Sequence, residues 1–168
     1  MIRQGEICVD ATGIPEPAGW EDPLTGLEGP DYWQRVLVSE VARGARYRSP
    51  LTVVVIELEG VAGLGDTMGM DLARRAVREA AQCIRRNSRT SDHCTRIGEA
   101  RFGVVLTDTD EIAAINFVER VRESGLAAMP SGFDGLRFSF GWASPKRGES
   151  ADAVVKRADL RLAAEIIS

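Results

Sequence analysis

Few residues in this chain could start chemistry. The only histidine, His93, stands beside Cys94, and the other two cysteines, Cys8 and Cys83, are distant in sequence. A zinc site needs about four ligands, at least three of them from the protein in a catalytic site. Neighbours on a strand point to opposite faces, so His93 and Cys94 are not expected to share an ion, and no metal is assigned. The cysteine number is odd and there is no CxxC pair, which reads as reduced thiols in a cytosolic protein. The acids Glu57 and Glu59 close an apolar run, while arginines recur at 85, 86, 89, 120 and 122. Among them stands Arg89-Thr90-Ser91-Asp92. An arginine fork can grip a phosphate, or guanine O6 and N7, through two parallel hydrogen bonds. An aspartate can accept the guanine N1 and N2 hydrogens.

Whole-chain charge narrows the ligand class. There are 21 basic and 25 acidic residues in 168, a net charge of -4. A nucleic-acid binder needs a basic stripe that releases counterions, so duplex DNA and RNA are not expected partners. A small anion remains compatible, because a few local arginines suffice. With 44% hydrophobic and 27% charged residues, the chain has the balance of one globular domain able to bury a normal core. The start, MIRQGEICVDATG, carries acids and no apolar segment, unlike a signal peptide. No run approaches the ~20 apolar residues that span a bilayer, so no membrane insertion is expected.

The elements that must position these residues follow from periodicity. Residues 1–21 are rich in Gly and Pro and form an N-terminal tail or lead-in segment; residues 22–168 form the domain. Asp22 to Leu27 reads as a turn. A helix is predicted over 31–47, with Trp33, Val36, Leu37 and Val41 on one face and Ser49-Pro50 ending it. Leu51–Leu58 is nearly all β-branched or apolar, the mark of a strand buried on both faces. Gly60, Gly63 and Gly65 predict a flexible or tightly turned stretch, and a helix follows over 67–87. Two short strands, 92–97 and 102–107, enclose Gly98 to Arg101 as a hairpin. A helix capped within 108–111 runs to about 126 and buries Ile115, Val118 and Val121. Residues 136–143 alternate as a half-buried strand, and Ser150 caps a last helix over 151–166. Trp33, Phe140 and Trp142 are assigned to the core; Trp20 packs on the domain or on a partner. The order gives an α/β (α+β) fold with a ferredoxin-like β-α-β-β-α-β core, a central antiparallel sheet flanked by helices.

Several segments, in order, resemble one family. Asp22-Pro23-Leu24-Thr25-Gly26-Leu27 is similar to the D-x-L-T-G-L motif of GGDEF domains, the diguanylate cyclases. Residues 51–77 resemble their first strand and helix. Arg96-Ile97-Gly98-Glu99-Ala100-Arg101-Phe102 falls where R-x-G-G-D-E-F belongs, and Phe140-Gly141-Trp142-Ala143 and Ala158-Asp159 match later motifs. The resemblance covers about residues 22–166. It implies a nucleotide-cyclase type of fold and a bacterial, cytoplasmic signalling setting.

It also implies what an active member needs: two GTP molecules, one on each protomer of a dimer, and two metal ions on carboxylates. One metal ligand falls on Glu57, a methylene too long, and the other on Ala100, which offers no oxygen. Glu99 replaces the glycine that lets backbone approach phosphate, and Arg101 replaces an acid. The guanine-binding positions fall on Gly65 and Arg74; those that hold phosphate fall on Ala62 and Ile166. The altered signature Gly98-Glu99-Ala100-Arg101-Phe102 therefore predicts a pseudoenzyme with no catalytic residues, no metal and no cofactor. Five residues ahead of it, many members carry R-x-x-D, a product site that binds cyclic di-GMP and inhibits the enzyme. Arg89 and Asp92 match it, and Arg120 falls where the family places a second arginine. The expected function is a cyclic di-GMP receptor acting through a protein partner or self-association. The alternative is a protein-interaction or dimerisation scaffold without nucleotide, and an active cyclase ranks last.

Overall fold

A strand with no polar face must be covered from both sides, and the computed structural model puts Leu51–Glu59 (β1) in that position. The structure describes residues 13–131 and 134–168. β1 lies inside a four-stranded sheet of order β2-β3-β1-β4, where β2 is His93–Gly98, β3 is Arg101–Thr107 and β4 is Arg137–Ala143. It pairs antiparallel with both neighbours, Ile56 standing opposite Phe102 and Phe140. Alternation along the strand divides the core in two. Val54, Ile56 and Leu58 join the larger cluster with α3 (Met70–Arg86) and α4 (Glu111–Ala128). Val53 and Val55 join the other with α1 (Pro30–Tyr47) and α5 (Ala151–Ile167). The expected fold class is the observed one.

Local chemistry accounts for the ends of the helices. Pro30 opens α1, where its missing N–H removes no bond, and Arg48 ends it in the left-handed region at φ 53°. Asp110 accepts from the Ala113 N–H and Ser150 from the Ala153 N–H, capping α4 and α5. Trp33 lies flat on Gly103, where a Cβ would stand 2.7 Å from its ring.

Four expectations need correction. The glycine stretch after β1 is helical: α2 (Val61–Met68) buries Val61 and Leu64, three residues apart, against the core. The helix predicted over 67–87 instead breaks at Gly69, whose φ of 98° no helix tolerates, and resumes as α3. In α4, Ile115 is 42% exposed and the buried stripe runs through Ala114, Phe117, Val118 and Val121. Its neighbour Ala114 holds the inward position, and a 100° step carries Ile115 off the core. Trp142 is half-buried rather than core, and Trp20, 52% exposed, meets Tyr32 edge-on. Cys8 lies outside the described residues.

The outer edge of β4 is closed by side chains. Arg122 donates to the Phe138 carbonyl and Arg161 to that of Trp142, while Glu165 accepts from the Phe140 N–H and Glu111 from the Ser144 N–H. Charges set on an edge strand in this way leave little for an incoming strand to pair with.

Candidate functional site

The β2–β3 hairpin is held from beneath by a buried ion pair. Arg96 on β2 is fully buried, and its Nη1 lies 3.0 Å from Asp22 Oδ1. The same guanidinium donates to the Glu99 carbonyl at 2.8 and 3.2 Å and to the Pro15 carbonyl at 2.6 Å. Asp22 also accepts from the Thr25 N–H, fixing the turn that begins the domain. One side chain thus ties the Asp22 turn, the lead-in segment and the signature turn into a unit. The motif shows Asp22 and Arg96 in sequence, but their pairing across 74 positions was not foreseen.

Beyond the hairpin turn, the end of β1 opens a cleft of about 320 Å³ lined by Glu57, Glu59, Ala62 and Gly98 to Arg101. Gly60 shapes its floor: φ is 89°, and a Cβ there would stand 2.1 Å from the Gly135 carbonyl oxygen. Both acids already face cations. Arg101 Nε lies 4.0 Å from Glu57 and its Nη2 lies 2.6 Å from Asp159, while Glu59 is 2.9 Å from Arg137 and accepts from the Ser139 hydroxyl. Ala100 turns inward, 7% exposed, and its carbonyl accepts from the Leu58 N–H. Among the described residues, no three His, Cys, Asp or Glu side chains gather as a metal-binding group. Burial pushes the Glu57 carboxyl above its ordinary range, Arg101 opposing and Glu59 and Glu99 reinforcing.

A carboxyl raised by folding weakens the fold wherever it is ionised, and the penalty disappears as pH falls through the raised value to the ordinary glutamate range. Glu57→Gln is therefore expected to raise Tm by about 1–3 °C at pH 7–8, with the gain vanishing near pH 4. A thermal unfolding series in pH checks this; a loss at pH 8 would show that the Arg101 contact outweighs the burial.

The positions where the resemblance places guanine contacts are engaged by the chain itself. Arg74 donates to the Gly13 carbonyl at 2.8 and 3.1 Å and pairs with Asp71 at 3.2 Å. Gly65 faces Met70, whose Sδ lies 2.6 Å from where a Cβ would stand.

The turn after α3 carries Arg89 and Asp92. Asp92 is 4% exposed; Oδ2 accepts from the Arg89 N–H at 2.8 Å and Oδ1 from the Thr107 N–H at 3.1 Å. Its carboxylate therefore faces backbone rather than solvent. Arg89 is exposed and donates one Nη2 bond, 2.8 Å, to the Thr109 hydroxyl. Arg120 on α4 reaches the Asn87 carbonyl at 3.3 Å, two residues before Arg89. Arg120 thus reaches the C-cap of α3, while the Arg89 guanidinium turns to Thr109, just ahead of α4; Arg85 and Arg86 are exposed in the last turn of α3. Nearby, burial pushes the Cys94 thiol up, with bonds to Ser88 and Arg85 opposing, which suits an unreactive thiol.

The model of the diguanylate cyclase GGDEF domain matches residues 20–165. The chain belongs to the GGDEF family. This GGDEF domain is 30% identical over 145 residues to the diguanylate cyclase DgcP of Pseudomonas aeruginosa, covering 84% of the chain and 22% of that protein. It is 28% identical over 144 residues to the response regulator PleD of Caulobacter vibrioides, covering 82% and 32%. The chain thus spans less than a third of these curated relatives. Among solved structures, the GGDEF domain of DgcB from Caulobacter crescentus in complex with c-di-GMP matches with a TM-score of 0.83 at 22% identity, covering 89% of this chain and 91% of that one. The diguanylate cyclase SiaD of Pseudomonas aeruginosa, in complex with its activator SiaC, matches at 0.81 and 26%, covering 90% and 59%. Neither the Gly13–Arg74 contact nor the fate of Asp92 could be read from motif spacing, since both depend on which backbone arrives beside them. Among the described residues, no helix is long and apolar enough to cross a membrane.

Proposed function

We propose that this GGDEF domain reads cyclic di-GMP without making it. The loss of chemistry rests on the donor set at the hairpin. Ala100 has no side-chain oxygen where the family's second metal ligand falls, and Arg101 places a cation between Glu57 and Asp159. A pair of divalent ions needs free hard oxygens at that spot, and the residues present do not fit it. Gly13 and Met70 also stand against the guanine positions, Gly65 and Arg74.

The receptor reading rests on one observation: Arg89 and Arg120 both flank the turn that follows α3, Arg120 on the Asn87 carbonyl and Arg89 on the Thr109 hydroxyl, with guanidinium edges to spare. Arg89 leaves Nε and Nη1 without a hydrogen-bond partner among the described residues. Two forks flanking one turn suit a ligand that pairs guanine edges with phosphates. Asp92 serves this site by holding the Arg89 backbone; with its carboxylate buried, it sets the arginine rather than meeting the ligand. Similar folds carry the ligand, as the DgcB complex states of itself.

Calorimetric titration with cyclic di-GMP, and with GTP and magnesium as control, tests the reading. Saturable binding of about two ligands per site is expected. Arg89→Ala should weaken it at least tenfold, since a hydrogen bond to a charged group is worth about 1.5–3 kcal/mol. Unaltered affinity in a folded Arg89→Ala protein would exclude this site.

A second reading, a scaffold that binds protein and no nucleotide, draws on the exposed apolar residues of α1, Val38 and Tyr47, which are 62% and 63% exposed. Silence with both ligands, and capture of a partner lost on Val38→Asp, would favour it.

A further inference from the structure

A roomy cavity among the described residues lies away from the signature cleft. It opens at the start of β1, about 20 Å along the strand from the Glu57 end by the rise per residue. The C-terminal end of α1, the first residues of β1 and the loop from Ser144 to Glu149 enclose a volume of about 800 Å³. That is the size of a small-molecule site. Its walls are apolar at Val41, Ala45, Pro50, Leu51 and Pro145.

The charges around it are unequal in their engagements. Both acids are occupied by the protein: Asp110 caps α4 through the Ala113 N–H, and Glu149 is gripped by Arg157 at 2.9 and 3.0 Å. Arg157, helped by the Lys146 N–H and ammonium against the desolvation, holds the Glu149 carboxyl below the ordinary range. The cations are not so engaged. Arg48, Lys146 and Arg147 line the cavity, are exposed, and make no side-chain hydrogen bond and no ion pair within 4.0 Å among the described residues. A protein of net charge -4 thus sets three cations with no close ion pair around one apolar hollow, with Lys146 sensing Glu149 at longer range. An apolar body would bury itself against Val41 and Leu51 while one anionic group met the rim.

We propose that this cavity binds a small amphiphilic anion, one carboxylate, sulfonate or phosphate group on an apolar body. The site is independent of the cyclic di-GMP reading, but it is physically joined to Arg89. Thr109 accepts from Arg89, its carbonyl accepts from the Thr52 hydroxyl at 2.8 Å, and Thr52 meets the Ser144 hydroxyl of the cavity wall at 2.8 Å.

The test uses 8-anilinonaphthalene-1-sulfonate as the anionic probe and N-phenyl-1-naphthylamine, which lacks the sulfonate, as its neutral counterpart. Fluorescence titration of the full chain should show one saturable sulfonate site, weakened by added salt, with the neutral probe binding at least tenfold less tightly. Backbone amide shifts should map to Val41, Leu51 and Ser144. The exposed changes Arg48→Asn, Lys146→Ala and Arg147→Ala together should weaken the sulfonate at least tenfold while near-ultraviolet dichroism stays native. Absence of binding, equal affinity for the neutral probe, undiminished affinity in the triple variant, or shifts confined to other regions would each overturn the proposal.

Discussion

Asp22→Ala is expected to lower stability by about 3–5 kcal/mol, the loss typical of removing one partner from a buried ion pair. The guanidinium of Arg96 is fully buried, and without Asp22 it keeps only neutral carbonyl acceptors, those of Glu99 and Pro15. A cation left so in a dry site is poorly solvated, which is why one missing carboxylate weighs so heavily. In a chain of this size the shift in Tm is about 10 °C or more, and urea unfolding should show an earlier midpoint. The double change Asp22→Ala with Arg96→Met should recover part of the loss, because an apolar side chain leaves no uncompensated charge. Equal stability of Asp22→Ala and the parent would mean that water reaches Arg96. Because Arg96 also holds the Glu99 carbonyl, the single variant should loosen the hairpin before the rest of the sheet, visible as faster amide exchange at Glu99–Arg101.

The second large expected effect is the absence of turnover. Incubated with GTP and magnesium or manganese, the protein should form cyclic di-GMP at least about a thousand-fold more slowly than an active GGDEF domain assayed beside it. The metal pair supplies several kcal/mol of charge stabilisation, and every ~1.4 kcal/mol is tenfold in rate. Ala100→Asp alone should not restore product. The new carboxylate would enter a cleft where Arg101 already reaches Glu57 and Asp159, and would pair with a cation rather than free a metal position. Chromatographic detection of the product decides the matter. Turnover approaching that of the active domain would refute the pseudoenzyme reading and demand another set of metal ligands.

The contrast between the two ends of the sheet bears on both predictions. At the Glu57 end, acids and arginines are mutually neutralised and the cleft is small. At the Leu51 end lie Arg89, the hydroxyl chain through Thr109 and Thr52, and the open cavity. Both proposed ligand sites thus lie at the end away from the signature.

How much of this the residues announce depends on the range of the forces involved. Secondary structure was legible where pattern and composition agree. The Leu51–Leu58 run could only be a central strand and Ser150 a cap, and a cap within 108–111 proved to be Asp110; the alternation at 136–143 marked a strand, but not a half-buried one, since Ser139 and Gly141 are buried along with Phe138 and Phe140. Family membership was legible for the same reason: its motifs are local and ordered along the chain. The break at Gly69 escaped because helical spacing continues through it, and only the backbone angle separates α2 from α3. Ile115 was misplaced because an apolar residue beside a buried alanine reads equally well as core. At the site, sequence alone determined which side chains are present and which oxygens are missing, Ala100 above all. Tertiary structure decided what those side chains do. It buried Asp92 against backbone amides, joined Arg96 to Asp22 across 74 positions, laid Gly13 on Arg74, and left Arg48, Lys146 and Arg147 around one hollow. Burial and partnership depend on which distant segments meet, and no local pattern carries that information.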